Sequence, residues 1–221
     1  MSRDESPTTS PMSTRCRHSA IVDRTLPGSV RARVRYPAST PIGDDVRDAT
    51  GLLDDAGRIV ADLTRIGLEP VLVGGMALVT LGSRRVTRDF DFVIPTPGDR
   101  LTDLVYVFYD RGLELAARVD DSGDITATID NRKVASVRLR MDRPSSAYFS
   151  HPKTGLRVDL LFDFPVAASH LAARAARIKV RSHGLLVASE DDLLNLKRIA
   201  RQNRTSPGDA EDIAFLEARR K

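Results

Sequence analysis

Two aspartates, Asp89 and Asp91, stand one residue apart in segment 88–94, where the side chains alternate in character. This alternation predicts a half-buried strand, and side chains two apart on a strand point to the same face. The α-carbons of the pair are then roughly 6.5 to 7 Å apart. Two carboxylates at this distance need a cation, and Mg2+ prefers carboxylate, water and phosphate oxygens as ligands. The pair therefore predicts a magnesium site for a phosphate-bearing substrate.

A third aspartate, Asp159, lies in the segment from Leu156 to Phe162, which alternates in the same way. Its even-numbered positions are apolar and predict the buried face, so Asp159 points to the other face. If this strand lies beside the first, three carboxylates share one site. That is enough to hold two metal ions about 4 Å apart for an in-line displacement at phosphorus. The third carboxylate is also the natural base for an acceptor hydroxyl.

A glycine pair, Gly74-Gly75, follows the short apolar run Val71–Val73 and precedes a brief helix predicted from Met76 to Leu81. Glycines between a strand and a helix allow backbone N–H groups to approach a triphosphate at the helix N-terminus. The pair lies shortly before the two aspartates in one strand–turn–helix–strand unit. This combination is more specific than either half.

Together these motifs resemble the signature of the polymerase-beta nucleotidyltransferase superfamily: a hydrophobic residue before Gly74-Gly75, then Asp89-x-Asp91, then Asp159 on a strand. Within this superfamily the chain resembles the small bacterial nucleotidyltransferases grouped with the AbiEii-type toxins.

The second resemblance is carried by the approach to the aspartates at 85–89 and by the tail segments 194–198 and 209–213. It covers about residues 45 to 220. It implies transfer of a nucleoside monophosphate from an NTP to an acceptor hydroxyl, such as one on tRNA, and a cognate antitoxin protein as partner. Many members have serine where this chain has Gly75, so one hydroxyl contact with the phosphates is absent.

By that resemblance, the three acids are catalytic and bind Mg2+, and a second group of residues lines the nucleotide. The implied catalytic and metal residues are Asp89, Asp91 and Asp159, and the implied nucleotide-binding residues are Gly74, Gly75, Thr87 and Lys197.

The elements around these residues predict an α/β fold, with a nucleotidyltransferase-type mixed β-sheet flanked by helices and two C-terminal helices. The order of the later strands indicates a meandering sheet. The predicted helices are Asp44 to Ile66, Asp99 to Asp110, one that starts at Ser189 and one that starts at Ser206. The further predicted strands are Asp124 to Ile129 and Val134 to Met141, joined by a turn at Asp130-Asn131.

The first part of the chain is rich in Ser, Thr, Pro and Arg and shows no helical or strand periodicity. We predict a disordered leader over residues 1–43 and a nucleotidyltransferase domain over 44–221. No apolar run is long enough for a signal-peptide core or a membrane span. The single cysteine, Cys16, excludes an internal disulfide and fits a reducing cytoplasm.

The 221 residues carry a formal net charge of +4, with a pI near 9.5, and most cations are arginines. Guanidinium groups bind phosphate in a two-pronged geometry, which modestly favours an RNA acceptor. The basic residues that cluster in the second half are Arg132, Lys133, Arg138, Arg140, Arg143 and Arg157.

Other interpretations stay open at this point. The paired aspartates could be solvated acids of a surface strand, and glycosyltransferases and dehalogenase-type phosphatases also use such pairs. Asp159 could pair with Arg157 or Arg140 across the sheet. Lys197 could belong to a solvated cationic helix face, and Asp212 is more typical of a helix-pairing acid. The whole chain could be a catalytically silent binding module of a toxin–antitoxin pair, or an enzyme that modifies antibiotics or proteins.

Overall fold

The computed structural model describes residues 30–32, 42–120, 122–203 and 207–220. Its strands are β1 (Val30–Ala32), β2 (Val71–Val73), β3 (Asp89–Ile94), β4 (Glu114–Val119), β5 (Ile125–Ile129), β6 (Ser146–Ser150), β7 (Arg157–Phe162), β8 (Ala176–Val180) and β9 (His183–Val187). Its α-helices are α1 (Ile42–Arg65), α2 (Gly74–Thr80), α3 (Leu101–Tyr109), α4 (Arg132–Asp142), α5 (Ala168–Ala172), α6 (Glu190–Asn203) and α7 (Pro207–Arg219). A 3-10 turn, Gly98–Arg100, leads into α3.

The described strands form one mixed sheet in the order β1-β5-β4-β6-β7-β3-β2-β9-β8. Two pairs are parallel, β3 with β7 and β2 with β9, and the others are antiparallel. Helices flank this sheet, so the predicted class, a mixed α/β fold with C-terminal helices, is confirmed. Among the described helices, none combines the length and hydropathy that crossing a bilayer requires.

The two faces of the central strands differ in character. Phe90 and Phe92 of β3 pair in register with Val158 and Leu160 of β7, and all four side chains are buried. On β6, Phe149 points to this same face, because its register partner is Val158. The Phe149 ring stacks on Phe108 of α3, with centroids 4.0 Å apart. Helix α3 therefore covers the apolar face, and α4 packs beside it.

Most of the predicted elements are confirmed, with small changes at their ends. The helix predicted from Asp44 is α1, the strand after Arg88 is β3, and the strand after Leu156 is β7. The Ser189 hydroxyl accepts from the Asp192 N–H at 3.2 Å, as expected at the start of a helix. Helix α2 begins at Gly74 itself, earlier than predicted.

The strand predicted from Val134 to Met141 is wrong, because this segment is helix α4. Asn131 was assigned to a turn, yet its side-chain oxygen accepts from the N–H groups of Lys133 and Val134 and so caps the helix. The alternation of Val137, Leu139 and Met141 with arginines looked like a strand, but only Leu139 of these three is buried.

Five strands, β1, β4, β6, β8 and β9, and the short helix α5 have no counterpart among the elements predicted from the sequence. The later strands do not form one meander, because β5 and β6 are not neighbours and β3 pairs with β7 in parallel. Only the hairpins β4–β5, β6–β7 and β8–β9 follow that prediction. Strand β1 and the start of α1 lie within the predicted leader 1–43. The rest of that leader and Ser206 lie outside the described residues, so the leader stays a prediction.

Candidate active site

The three aspartates lie on one face of two neighbouring strands. Strands β3 and β7 run parallel, with Asp91 in register with Asp159 and Asp89 in register with Arg157. Residues in register on adjacent strands point to the same face, which here is opposite to the buried phenylalanines. Asp89 and Asp91 are half-buried and Asp159 is buried. The condition set by the sequence, that the two acidic strands be neighbours, is met.

Gly74 lies against this acidic face. Val73 of β2 is in register with Asp91, and α2 begins at the next residue. Gly74 has φ +65°, a left-handed conformation that favours glycine. A Cβ at this position would overlap the carboxylate of Asp91. Both the backbone conformation and the available space therefore require glycine at position 74.

Gly75 is covered by two side chains from the loop that precedes β3. A Cβ built at Gly75 would lie 3.0 Å from Nε of Arg85 and 3.2 Å from Cγ2 of Thr87. Thr87, predicted to contact the nucleotide, thus lies beside the glycine pair. Val73, at the N-cap of α2, has no side-chain acceptor for the N–H groups of the first turn.

The acidic face is electrostatically unfavourable without a cation. Burial, with the negative charges of Asp159 and Asp89, raises the pKa of Asp91 to about 7 against the opposing influence of Lys197 and Arg157. Burial also raises the pKa of Asp159, although its hydrogen bonds from Arg157 act in the other direction. At neutral pH these buried carboxylates are negatively charged only at a cost in the free energy of folding.

Arg157 is the direct partner of Asp159. Its Nε donates to Oδ1 at 2.8 Å and its Nη2 donates to Oδ2 at 2.9 Å, so both carboxylate oxygens are engaged. Its Nη1 donates to the carbonyl of Gly123 at 2.7 Å, and the guanidinium lies 5.3 Å from the centroid of the Tyr148 ring. The alternative pairing left open by the sequence is therefore present, with Arg157 and not Arg140 as the partner.

The donor set fits Mg2+ in its chemistry. All three acids offer only oxygen ligands and face one side, and burial with the neighbouring carboxylates raises the pKa of Asp91 despite the positive charges of Lys197 and Arg157. Within the described residues, no three acidic, histidine or cysteine side chains stand close enough together to hold an ion as placed. At Asp159 both carboxylate oxygens accept hydrogen bonds from Arg157, which limits their access to an ion. A metal would be held by Asp89 and Asp91, and by Asp159 once Arg157 releases it.

Lys197 is buried within α6 and is not part of a solvated cationic face. Its Nζ lies 3.1 Å from Asp209 Oδ1 and 2.7 Å from Asp212 Oδ2, both near or on α7. Arg85 donates to the same Asp212 carboxylate. Asp212 is thus a helix-pairing acid, as its position suggested. We call Arg85, Lys197, Asp209 and Asp212 the ion cluster.

Arg85, near the acids, was not predicted from the sequence, and Arg157 was predicted only as a possible partner of Asp159. Arg157 carried a usable signal, because an Arg-x-Asp pair on a strand places both side chains on one face. Arg85 carried none, since its contacts with Gly75, Asp212 and Gly208 join segments far apart in the sequence.

The predicted basic cluster divides in the structure. Five of its six members lie on α4 or at its end: Arg132, Lys133, Arg138, Arg140 and Arg143. Helix α4 packs beside α3, on the sheet face opposite the acids. Only Arg157 lies at the acids, and it is paired with Asp159. The cluster therefore offers no continuous basic path to the acidic face.

No protein-family model matches the sequence, and no curated protein is similar to it. Solved structures with a similar fold include the lincosamide antibiotic adenylyltransferase LnuA, at 13% identity and a TM-score of 0.48, over 74% of this chain and 95% of that one. The antibiotic-resistance factor ANT(2'')-Ia matches at 13% identity and 0.49, over 79% and 86% of the two chains. A nucleotidyltransferase-like protein from Paracoccidioides brasiliensis matches at 15% and 0.49, over 75% and 74%. These neighbours are nucleotidyltransferases by name, and similarity at this level indicates nothing about the substrate of this chain.

The space at Gly74 can be tested with two alanine variants. Gly74→Ala and Gly82→Ala both place a side chain at positive φ, but only the first meets a carboxylate, because nothing lies within 4 Å of a Cβ at Gly82. We expect backbone strain to lower the free energy of unfolding of each variant by about 1–2 kcal/mol. In Gly74→Ala the overlap of the new Cβ with the Asp91 carboxylate should lower the free energy of unfolding by roughly 1–3 kcal/mol more, as measured by urea unfolding. Equal losses would show that Asp91 does not occupy this space.

Because Arg157 neutralises Asp159, we predict that Mg2+ can replace the guanidinium charge when Arg157 is removed. Arg157→Gln leaves Asp159 buried without its partner. In metal-free buffer we therefore expect the free energy of unfolding to fall by an amount near the low end of roughly 3–5 kcal/mol. Millimolar Mg2+ should restore most of it, because the ion replaces the guanidinium charge. The matched control is Arg177→Gln, which breaks an exposed pair with Glu69 and should cost under about 1 kcal/mol with or without Mg2+. A loss in Arg157→Gln that Mg2+ does not reduce would contradict this role.

The raised pKa of Asp91 predicts a pH-dependent stability. The folded state holds this proton up to about pH 7, whereas the unfolded chain releases it near 3.8, so metal-free protein should lose stability as pH rises through that interval. Asp91→Asn removes this titration, and its Tm should exceed that of the wild type at about pH 8 but not at about pH 4. Thermal melts would check this, with roughly 2–4 °C for each kcal/mol. A wild-type Tm that rises relative to Asp91→Asn over this interval would contradict the assignment.

Proposed function

We propose that this chain transfers a nucleoside monophosphate from an NTP to an acceptor hydroxyl, with Mg2+ as its cofactor. The observation that carries the proposal is the register of β3 and β7, which brings Asp89, Asp91 and Asp159 to one face beside Gly74. A binding module has no physical need for three converging carboxylates, since their repulsion lowers stability. An enzyme that uses the three carboxylates to hold a metal against a triphosphate does have such a need.

In the proposed reaction the acceptor oxygen attacks the α-phosphorus, the bond to the pyrophosphate oxygen breaks, and pyrophosphate leaves with the electron pair. Asp89 and Asp91 hold the metal, which when bound neutralises charge on the triphosphate. Asp159 takes the proton of the acceptor hydroxyl. Its raised pKa suits this step, because a more basic carboxylate accepts a proton more readily.

Arg157 must release at least one oxygen of Asp159 before that carboxylate can act as base or ligand. If Asp89 and Asp91 held a metal, its positive charge would lower the need for the guanidinium at Asp159. Arg157 thus holds the third acid in place while the nucleotide is absent.

For the nucleotide, we propose contacts from Gly74, Gly75, Thr87 and Lys197. Thr87 lies beside Gly75, and the charge of Lys197 acts on Asp91, so both are near the acids. Lys197 also belongs to the ion cluster, and a phosphate would have to compete there with Asp209 and Asp212. Arg85 joins this set because it lies over Gly75.

The proposal has two forms, which differ in the molecule that accepts the nucleoside monophosphate. In the toxin form, which follows the sequence resemblance, the acceptor is tRNA, a cognate antitoxin restrains the enzyme and the reaction takes place in the cytoplasm. In the second form, the acceptor is a protein or an antibiotic. The separation of the basic cluster from the acids does not favour tRNA, so each acceptor class must be offered to the protein.

The test incubates the purified protein with each α-phosphate-labelled NTP and Mg2+, with total tRNA, protein extract or an antibiotic panel as acceptor. We expect label in one acceptor class, and a loss of at least roughly a hundredfold in Asp91→Asn and Asp89→Ala. Asp103→Asn is the matched control, because Asp103 is an exposed acid on α3, on the opposite side of the sheet. Its turnover should equal that of the wild type.

Label in tRNA would support the toxin form, and label in protein or antibiotic would keep the chemistry with another acceptor. Turnover in Asp91→Asn equal to that of the wild type would overturn the enzymatic assignment. No transfer to any acceptor would favour the catalytically silent binding module.

A further inference from the structure

Helix α4 carries an unusual stretch of exposed apolar surface. Four large apolar side chains are exposed in the described part of the chain, and three of them are on α4: Val134 (44%), Val137 (56%) and Met141 (72%). Their spacing of three and four residues places them in one stripe along the helix. The opposite side of α4 buries Ala135 and Leu139 against the protein. The stripe is therefore a second apolar face, and contiguous apolar surface of this kind marks interaction sites.

A groove runs between this stripe and α3. Its cavity of about 240 Å3 is lined by apolar groups of Tyr106, Val137 and Met141 and by the cations Lys133 and Arg140. We call this surface the α4 groove. No carboxylate is among the described residues that line it. Thr102 and Ser136 complete the lining, and the exposed side chains of Lys133 and Arg140 give the groove a positive charge.

The walls of the α4 groove are held in place by contacts within the protein. The Arg132 guanidinium lies 4.3 Å from the centroid of the Tyr106 ring, and Arg140 Nη2 donates to Thr102 Oγ1 at 3.1 Å. Thus the groove is formed before any partner arrives, which lowers the entropy cost of binding.

We propose that the α4 groove binds a helix of a partner protein that is acidic and presents apolar side chains along one face. The apolar stripe matches the apolar face of such a helix, as in other helix-in-groove complexes. Lys133 and Arg140 are exposed at the rim, where they would meet its acidic residues. The groove lies on the sheet face opposite the acids, so the partner would bind without entering the active site.

The charges of this chain argue against its own segments as occupants. Residues 1–29 carry four arginines and three acids, so they are not acidic overall. A second copy would have to offer an acidic helix, and the most acidic helices by sequence are α1, with six acids and three arginines, and α7, with four acids and one arginine. Acids of both helices are already paired within the chain: Asp54 with Arg181, Asp55 with Arg58 and Asp62 with Arg111 on α1, and Asp209 and Asp212 with Lys197 and Glu217 with Arg198 on α7.

A nucleic acid fits the α4 groove less well than a protein. RNA-binding surfaces combine cations with exposed aromatic rings on which bases stack. Here the exposed stripe is aliphatic, and Arg132 already lies over the Tyr106 ring. The aliphatic stripe favours a protein helix.

The test measures fluorescence anisotropy of a labelled synthetic helix with leucines along one face and glutamates elsewhere, titrated with the full chain. Two matched peptides replace the glutamates by lysines or the leucines by serines, and a single-stranded RNA oligonucleotide is the fourth probe. We expect the wild type to bind the acidic leucine peptide at least about tenfold more tightly than the other three probes.

Val137→Ser/Met141→Ser should weaken binding of the acidic peptide at least about tenfold. Val86→Ser is the matched control, because Val86 is the fourth exposed apolar side chain and lies outside α4. Lys133→Glu/Arg140→Glu should reverse the preference toward the lysine peptide. All substituted side chains are exposed, and thermal melts confirm that each variant is folded.

Asp91→Asn should bind the acidic peptide like the wild type, so this proposal and the proposed function can fail separately. No binding of the acidic peptide, or equal binding to the Val137→Ser/Met141→Ser variant, would overturn the proposal. Tighter binding of RNA would assign the surface to nucleic acid, and a wild-type dimer that this double variant dissociates would assign it to self-association. Either result would also overturn it.

Discussion

Repulsion among three carboxylates on one face of β3 and β7 is the constraint on which the rest of the structure depends. Strand register brings Asp91 beside Asp159, and burial together with neighbouring carboxylates raises the pKa of both acids. Positive charge must therefore be supplied from elsewhere in the fold. Arg157 provides it through two hydrogen bonds to Asp159, and Lys197 provides it through the field that reaches Asp91. A site built in this way is prepared for a cation, since a metal would replace charge that the protein already has to provide.

The ion cluster connects this acidic face with the C-terminal helices. Lys197 of α6 bonds to Asp209 and Asp212, and Arg85 links Asp212 back to the loop over Gly75. Buried ion pairs contribute little net stability but penalise any arrangement that leaves one partner alone. The cluster therefore helps to fix where α6 and α7 lie relative to the glycine pair.

The sequence could predict the local parts of the site but not the contacts that cross the chain. Alternation around Asp89, Asp91 and Asp159 identified both acidic strands, because a period of two determines which side chains share a face. The same rule failed for α4, which is a helix whose N-terminus is capped by the side chain of Asn131. The links from Arg85 and Lys197 to Asp212 depend on tertiary packing that no local pattern encodes.

The parallel pairing of β3 and β7 has a consequence for the order in which the molecule assembles. Between these strands the chain forms β4, β5, β6 and two helices, so a long loop must close before the strands can meet. On the ribosome, Asp89 and Asp91 are made well before Arg157 and Asp159. The strand that brings the third acid also brings the arginine that neutralises it. The acidic face therefore never has to assemble without its counter-charge, and folding of this region is tied to the arrival of a single strand.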